Sequence, residues 1–253
     1  MRIFGGKFRS TVRAPNQPDS VTIEDWRSLQ LDIQVRFPSS HFPYPYTLVT
    51  DTRKHDSVYA IENAVARFSH LQPVQLGLSE PGLSGVGEGN QQVLIETLPP
   101  VLVLHLKRFL YDASADGIVK ISKPVRFSPE LEIPLGMISS FISRTHVSQL
   151  RTLHGFVGSE TIASVSGKSV EPARYKLYGV LYHHGESADS GHYTVDVFHP
   201  NEDSSIGDGW LHIDDEAVRA VRHEDVFGAH DNEQVDDRSA YMLFYCRTAF
   251  TGT

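Results

Sequence analysis

Residues 99–109 most constrain the fold. Pro99-Pro100 launches Val101-Leu102-Val103-Leu104-His105-Leu106-Lys107-Arg108-Phe109, a β-branched and leucine run too short for an average helix and apolar at both parities at its start. Such a run is expected to be a strand buried on both faces, so the chain must build a sheet around it. His105, inside the run, reads as a hydrogen-bonded core residue before it reads as a catalytic one.

Other strand patterns follow. Residues 29–35 alternate apolar and polar, the mark of a strand covered on one face, and residues 92–96, 118–121, 175–182, 193–198, 210–213 and 241–245 extend an antiparallel set. Residues 3–12 read as a strand pair with Gly5-Gly6 as its two-residue hairpin turn, and residues 14–20 as a turn cluster. Residues 112–117 read as a hairpin turn, and residues 124–127 and 131–134 as short edge segments among prolines. Only one stretch changes period clearly: Val58, Ile61, Val65 and Phe68 recur at helical spacing, with Asp56 as N-cap and Pro73 beyond the end. Residues 78–90 carry glycines without periodicity and read as a loop, and Gly85-Val86-Gly87-Glu88-Gly89-Asn90 lacks the spacing and the lysine of a phosphate cradle. Residues 158–171, rich in Ser and Gly, read as an inserted loop.

Composition narrows the function. One cysteine in 253 residues excludes an internal disulfide and a Cys-x-x-Cys zinc pair. No run of eighteen apolar residues exists and the N-terminus lacks a signal-peptide pattern, so the expectation is an intracellular protein, cytoplasmic or nuclear, with no membrane partner. The net charge of -8 is uneven: residues 201–238 hold twelve Asp and Glu against three Arg, a balance of -9, leaving +1 elsewhere. That acidic stretch disfavours nucleic acid and suits a basic partner.

The chemistry gathers late in the chain. Ser190-Gly191-His192-Tyr193-Thr194-Val195-Asp196-Val197 places a histidine between a glycine turn and an alternating strand, and Trp210-Leu211-His212-Ile213-Asp214-Asp215 brings a carboxylate pair. An imidazole with an orienting acid is the base half of a nucleophilic site. Gly185 and Gly191 permit a tight, ligand-facing turn by tolerating positive φ. Asp214-Asp215 also suits a turn or a helix start. Cys246 alternates with Met242 and Phe244 and lacks a helix N-terminus to activate it, so a buried structural thiol is expected. His183, His184, His192, Asp214 and Asp215 are zinc-ligand types, but adjacent histidines on a strand face opposite ways.

In sum, Leu98 to Phe109, Tyr178-Gly179-Val180-Leu181-Tyr182-His183-His184-Gly185, Gly191-His192-Tyr193, Trp210 to Val218 and Ala240 to Tyr245 resemble, in order, the C-terminal half of the ubiquitin-specific proteases. These are papain-like cysteine enzymes that cleave after the terminal glycine of ubiquitin. The first ninety residues are similar to that family's finger region, in a subgroup without zinc-binding cysteines. The resemblance implies an α+β papain-like fold, mostly antiparallel β, with the N-terminal helical subdomain missing. It divides a partial catalytic domain over 1–250 into a finger-like region at 1–98 and a palm-like region at 99–250, with an inserted loop at 138–171.

By the same resemblance His192 is the general base and Asp214 orients its ring, with Asp215 the alternative or a polar helper near the oxyanion. His184, Gly185, Ser190, Gly191 and Tyr193 would line the path of ubiquitin's basic, glycine-ended tail. No metal or other cofactor is implied. The partners are ubiquitin and ubiquitinated proteins. The family's Gly-Asn-x-Cys box would precede residue 1. Two functions are therefore expected in competition: a thiol-dependent deubiquitinase hydrolysing isopeptide or peptide bonds after ubiquitin, of which this chain is a part, and a non-catalytic ubiquitin-binding or scaffold protein derived from it.

Overall fold

A computed structural model describes residues 3–33, 59–77, 86–112, 116–139, 172–187, 190–200, 209–227 and 238–248. Gln34-Val35 of the first alternating run, the Asp56 cap, Val58 and most of the inserted loop lie outside these residues, as does much of the acidic stretch.

The run after Pro100 is a strand, β7 (Val101–Leu106), with Val101, Leu102, Val103, Leu104 and Leu106 buried. His105 is half-buried, its ring edge-on to Tyr241 at 4.8 Å, and desolvation holds its pKa below the usual imidazole value. On one side β7 pairs antiparallel with β16 (Ser239–Arg247), and on the other it pairs parallel with β3 (Leu29–Leu31). Beyond β16 the sheet continues through β12 (Ala173–His184), β13 (His192–Phe198), β14 (Trp210–Asp214) and β15 (Ala217–Val221). An eighth strand, β11 (Glu130–Ile133), pairs with the first part of β12.

A second sheet, of four antiparallel strands, runs in the order β2 (Ser20–Trp26), β1 (Gly6–Arg13), β6 (Val86–Thr97), β5 (Gln72–Gly77). Here the glycine hairpin expected at Gly5-Gly6 is corrected: β1 is one continuous strand, and the chain reverses over Ala14–Asp19. The two glycines answer crowding instead, since a Cβ at Gly5 would lie 1.9 Å from the Trp26 carbonyl oxygen and one at Gly6 2.0 Å from that of Thr97. The loop reading of 86–90 is corrected too, because those residues begin β6 and pair with β5, Asn90 also pairing with Arg13 of β1. Gly89 suits that position: a Cβ there would meet Leu76 at 2.6 Å and the Arg13 carbonyl at 2.8 Å. Pro73 is tolerated because β5 is an edge strand.

Helix α1 (Ile61–Phe68) buries Ile61, Ala64 and Val65, three residues of the apolar stripe side. It starts later than its pattern suggests, because Tyr59–Ala60 (β4) is drawn into parallel pairing with β10 (Val125–Arg126), and Ala60 stands at the N-cap without a side-chain hydrogen bond. Phe8 of β1 stacks on Trp26 at 4.9 Å and meets Phe68 of α1 at 5.1 Å. One apolar core thus runs from the smaller sheet under α1 into the larger.

The hairpin of β8 (Phe109–Asp112) and β9 (Gly117–Lys120) forms where expected. Just before it, Arg108 is 1% exposed and donates to three backbone carbonyls: Nε to Ala240 at 2.5 Å, Nη1 to Ile121 at 2.8 Å and to Lys123 at 2.9 Å. Burial pushes its pKa down to about 10, so it remains a cation at neutral pH. It ties the chain after β9 to the start of β16.

Candidate active site

Register fixes which side chains meet. His184 of β12 pairs with His192 of β13, and Asp196 of β13 with His212 of β14. Side chains alternate along a strand, so His184 and Tyr182, His192, Thr194 and Asp196, and Asp214, His212 and Trp210 share one sheet face. At one end that face is core. Trp210 packs against Phe198 at 5.5 Å and against Phe227 of helix α2 (His223–Phe227) at 5.6 Å. At the other end it opens, and the side chains of His192 and Asp214 are 46% and 45% exposed.

There the His192 Nε2–H donates to Asp214 Oδ1 at 2.5 Å. A carboxylate only accepts, so the contact fixes the ring's orientation and leaves Nδ1 turned away from Asp214. The Asp214 hydrogen bond, helped by the charges of Asp214 and Asp215, holds His192 above the ordinary imidazole pKa. His192 in turn holds the Asp214 carboxyl below its ordinary value. The arrangement favours imidazolium beside carboxylate, the state a thiolate partner requires.

Asp215 has a different place. It opens the two-residue turn between β14 and β15 with φ of 50°, a left-handed conformation that Asp tolerates better than most residues. The turn reading of the acid pair therefore describes Asp215, and the orienting-acid geometry falls to Asp214. The helix-start reading is corrected, since the next helix begins only at His223.

Of the tail-lining candidates, His184 joins His192 on its face, the rings 5.8 Å apart, and shares a hydrogen bond with Thr194 Oγ1 at 2.8 Å. Gly185 has φ of 94°, as expected of a turn glycine. Gly191 does not adopt positive φ; its need for glycine is close approach, a Cβ there lying 2.2 Å from His183 Nε2 and 2.6 Å from the His184 carbonyl. Ser190 is exposed beside it. Lys120 of β9 donates to the carbonyls of His183 and Gly185, pinning the outgoing end of this loop. Tyr193 lies on the opposite face from His192, with His183, Phe109 and Tyr241 in an aromatic cluster. Among the described residues, His192, Asp214 and Asp215 can bring ligand atoms within 4.8 Å of one another, all three exposed, whereas His183 is buried on the far face.

Cys246 corrects an expectation: it is exposed, not buried. It pairs with Lys176, while the His192 end of β12 is His184, eight residues on. At roughly 3.3 Å per residue that is about 26 Å, far beyond reach of His192.

Sequence reading missed a third polar pair on the face of His192. His212 Nδ1 donates to Asp196 Oδ1 at 2.6 Å, with side chains 9% and 2% exposed. Arg238 brings Nη1 to 3.9 Å from Asp196 Oδ2 and lies over the Tyr182 ring at 4.9 Å. The available signal was alternation, which puts His212 on the same face as Asp214.

Comparison with known proteins gives one consistent result. The family model for ubiquitin carboxyl-terminal hydrolase matches residues 1–245. The probable ubiquitin carboxyl-terminal hydrolase 3 of Schizosaccharomyces pombe is 34% identical over 97% of this chain and 39% of its own length. Ubiquitin carboxyl-terminal hydrolase 10-A of Xenopus laevis is 35% identical over 97% of the chain and 24% of its own length. The chain therefore spans about two fifths or less of these relatives. Among solved structures, the SAGA Ubp8/Sgf11/Sus1/Sgf73 DUB module bound to ubiquitin aldehyde superimposes with a TM-score of 0.63 at 19% identity, over 98% of this chain and 42% of that one. That likeness bears out the α+β, mostly antiparallel architecture.

Proposed function

The chain belongs to the ubiquitin carboxyl-terminal hydrolase family, and on that premise we propose that it supplies the base, the orienting acid and part of the substrate channel of a thiol-dependent deubiquitinase. The observation that carries the reading is the 2.5 Å hydrogen bond from His192 Nε2–H to Asp214. In the proposed reaction His192 Nδ1 takes the proton of a cysteine thiol, and the thiolate attacks the carbonyl carbon of ubiquitin's last glycine. The amine departs with the proton that His192 returns, leaving a thioester that water hydrolyses with His192 again as base. Asp214 stabilises the imidazolium at each stage. Asp215, adding its charge from the turn, is the proposed polar helper.

The distance of Cys246 from His192 implies that the thiol comes from polypeptide other than residues 1–253. By themselves these residues are then a ubiquitin-binding unit without turnover. Gly185 and Gly191 support a narrow channel in which an extended, glycine-ended tail is selected by backbone approach, with His184 and Ser190 at its rim. The region 1–98, which holds the four-stranded sheet, is the proposed finger, and 99–250 the palm.

The test is hydrolysis of a ubiquitin amide by the full-length, thiol-bearing protein. His192→Ala is expected to lower kcat by roughly a hundredfold to ten-thousandfold, and Cys246→Ser to leave it unchanged. Unchanged turnover in His192→Ala overturns the base assignment, and loss in Cys246→Ser overturns the assignment of the thiol elsewhere.

A further inference from the structure

The sheet face that carries His192 holds a second carboxylate–imidazole couple that the reaction above does not use. Asp196 is 1% exposed, and a carboxylate so far from water persists only if it is paired and hydrogen-bonded. Its partners come from two directions: His212 Nδ1 at 2.6 Å from the neighbouring strand, and Arg238, just before β16, at 3.9 Å. Arg238 is itself fixed, donating to the Asp225 carbonyl of α2 at 3.1 Å and resting on Tyr182. His212 is thus bonded to a buried carboxylate that is itself braced by Arg238.

Two residues later on the same face stands Asp214, the last strand residue before the turn that Asp215 makes in a left-handed conformation. Asp214 is held by pairing with Ala217 of β15 and by its bond to His192, and on its own strand the nearest side chain on the same face is that of His212. His212 also contributes, after His192, to keeping the Asp214 carboxyl ionised. The charged or titratable groups on the face of the His212 ring are Asp196 from β13, Tyr182 and His184 from β12, Arg219, the register partner of His212 on β15, and Asp214 on its own strand, with Arg238 ahead of β16 against Asp196.

We propose that Asp196 and His212 are positioning residues: Asp196, braced by Arg238, anchors the His212 ring, and that anchor keeps the Asp214 carboxylate turned onto His192. The proposal rests on the assignment of His192 and Asp214 as base and orienter. Its test reads His192 directly and needs no turnover.

The whole 253-residue chain, carbon-13 labelled in its histidines, is titrated by NMR, with His192→Gln identifying the resonance. In the parent chain His192 is expected to titrate above the ordinary value of about 6.5. Asp196→Asn and His212→Leu should each lower that midpoint by about half a unit or more. His212→Gln, whose amide can still donate to Asp196, should keep it.

A midpoint unmoved by Asp196→Asn and His212→Leu, even with a lower melting temperature, overturns the proposal, because the couple is then only packing. A midpoint lowered equally by His212→Gln also overturns it, because the hydrogen bond to Asp196 that the amide retains would then not be what holds the carboxylate in place. Should Asp196→Asn not fold, the contrast between the two His212 variants decides alone. Asp214→Asn is the separate control: if it leaves the His192 midpoint in place, the His192–Asp214 reading itself fails, and this proposal with it.

Discussion

Asp214 and Asp215 carry the same side chain one position apart, and backbone geometry alone separates their work. Asp214 ends a strand, so its carboxylate stays on the face of His192; Asp215 turns with φ of 50°. The pair His192–Asp214 makes stability depend on pH with a definite sign. His192 is raised, so its contribution is full below the unfolded imidazole value of about 6.5 and is lost as pH rises through the higher folded value. Asp214 is lowered, so its contribution is full above the unfolded carboxylate value of about 3.9 and is lost as pH falls. Urea unfolding of the parent and Asp214→Asn chains should therefore differ most between roughly pH 4 and 6.5, by a small margin because solvent screens both groups. A difference that grows toward pH 9 would contradict this. Gly191→Ala forces a Cβ against the His184 carbonyl and His183, and should shift the NMR signals of His192 more than those of His105. The meeting of His192 with Asp214 was foreshadowed by motif order, because both sit in short local patterns. Alternation puts His212 on the face of Asp214, but its meeting with Asp196 was not legible, because it depends on the register of β13 with β14, and Arg238 reaches Asp196 from just before β16.

At the scale of elements, the readable strands were those whose burial is complete or strictly alternating. β7 is apolar at both parities because it lies between β16 and β3 with nearly every side chain buried, and the first part of β12, Ala173–Leu177, alternates buried and exposed. Misreadings came where backbone crowding, not local preference, chose the residue. Gly5-Gly6 has the composition of a hairpin turn, yet it lies where the chain passes Trp26 and Thr97 at close range. Gly87 and Gly89 suggested a loop, yet they lie in a strand paired on both sides. Arg108 illustrates a polar device no periodicity reveals: one buried guanidinium satisfying three carbonyls from two segments. Arg108→Ala strands those acceptors and opens a cavity, and should destabilise the chain by about 3 kcal/mol in denaturant titration. A loss below about 0.5 kcal/mol, the range of ordinary surface changes, would show the three bonds to be dispensable.

For the whole molecule, the larger sheet is expected to be the slow-exchanging part. β7, β16 and the middle of β12 each have strands on both sides and fully buried residues, whereas β2 and β5 are edges of the smaller sheet. Amide exchange is expected to be slowest in the first group and faster in the second, by local opening; equal protection in β2 and β7 would refute that ranking. The position of β16 has a further consequence. It lies between β12 and β7, yet follows both in sequence by more than fifty residues. On the ribosome, then, β7 and β12 must emerge before the strand that joins them exists. Until residue 247 clears the exit tunnel, two apolar strand edges stand open at once, each a template for the wrong neighbour. Nascent chains halted before Ser239 should bind chaperones that recognise unpaired strands and release them once the last strand has been made.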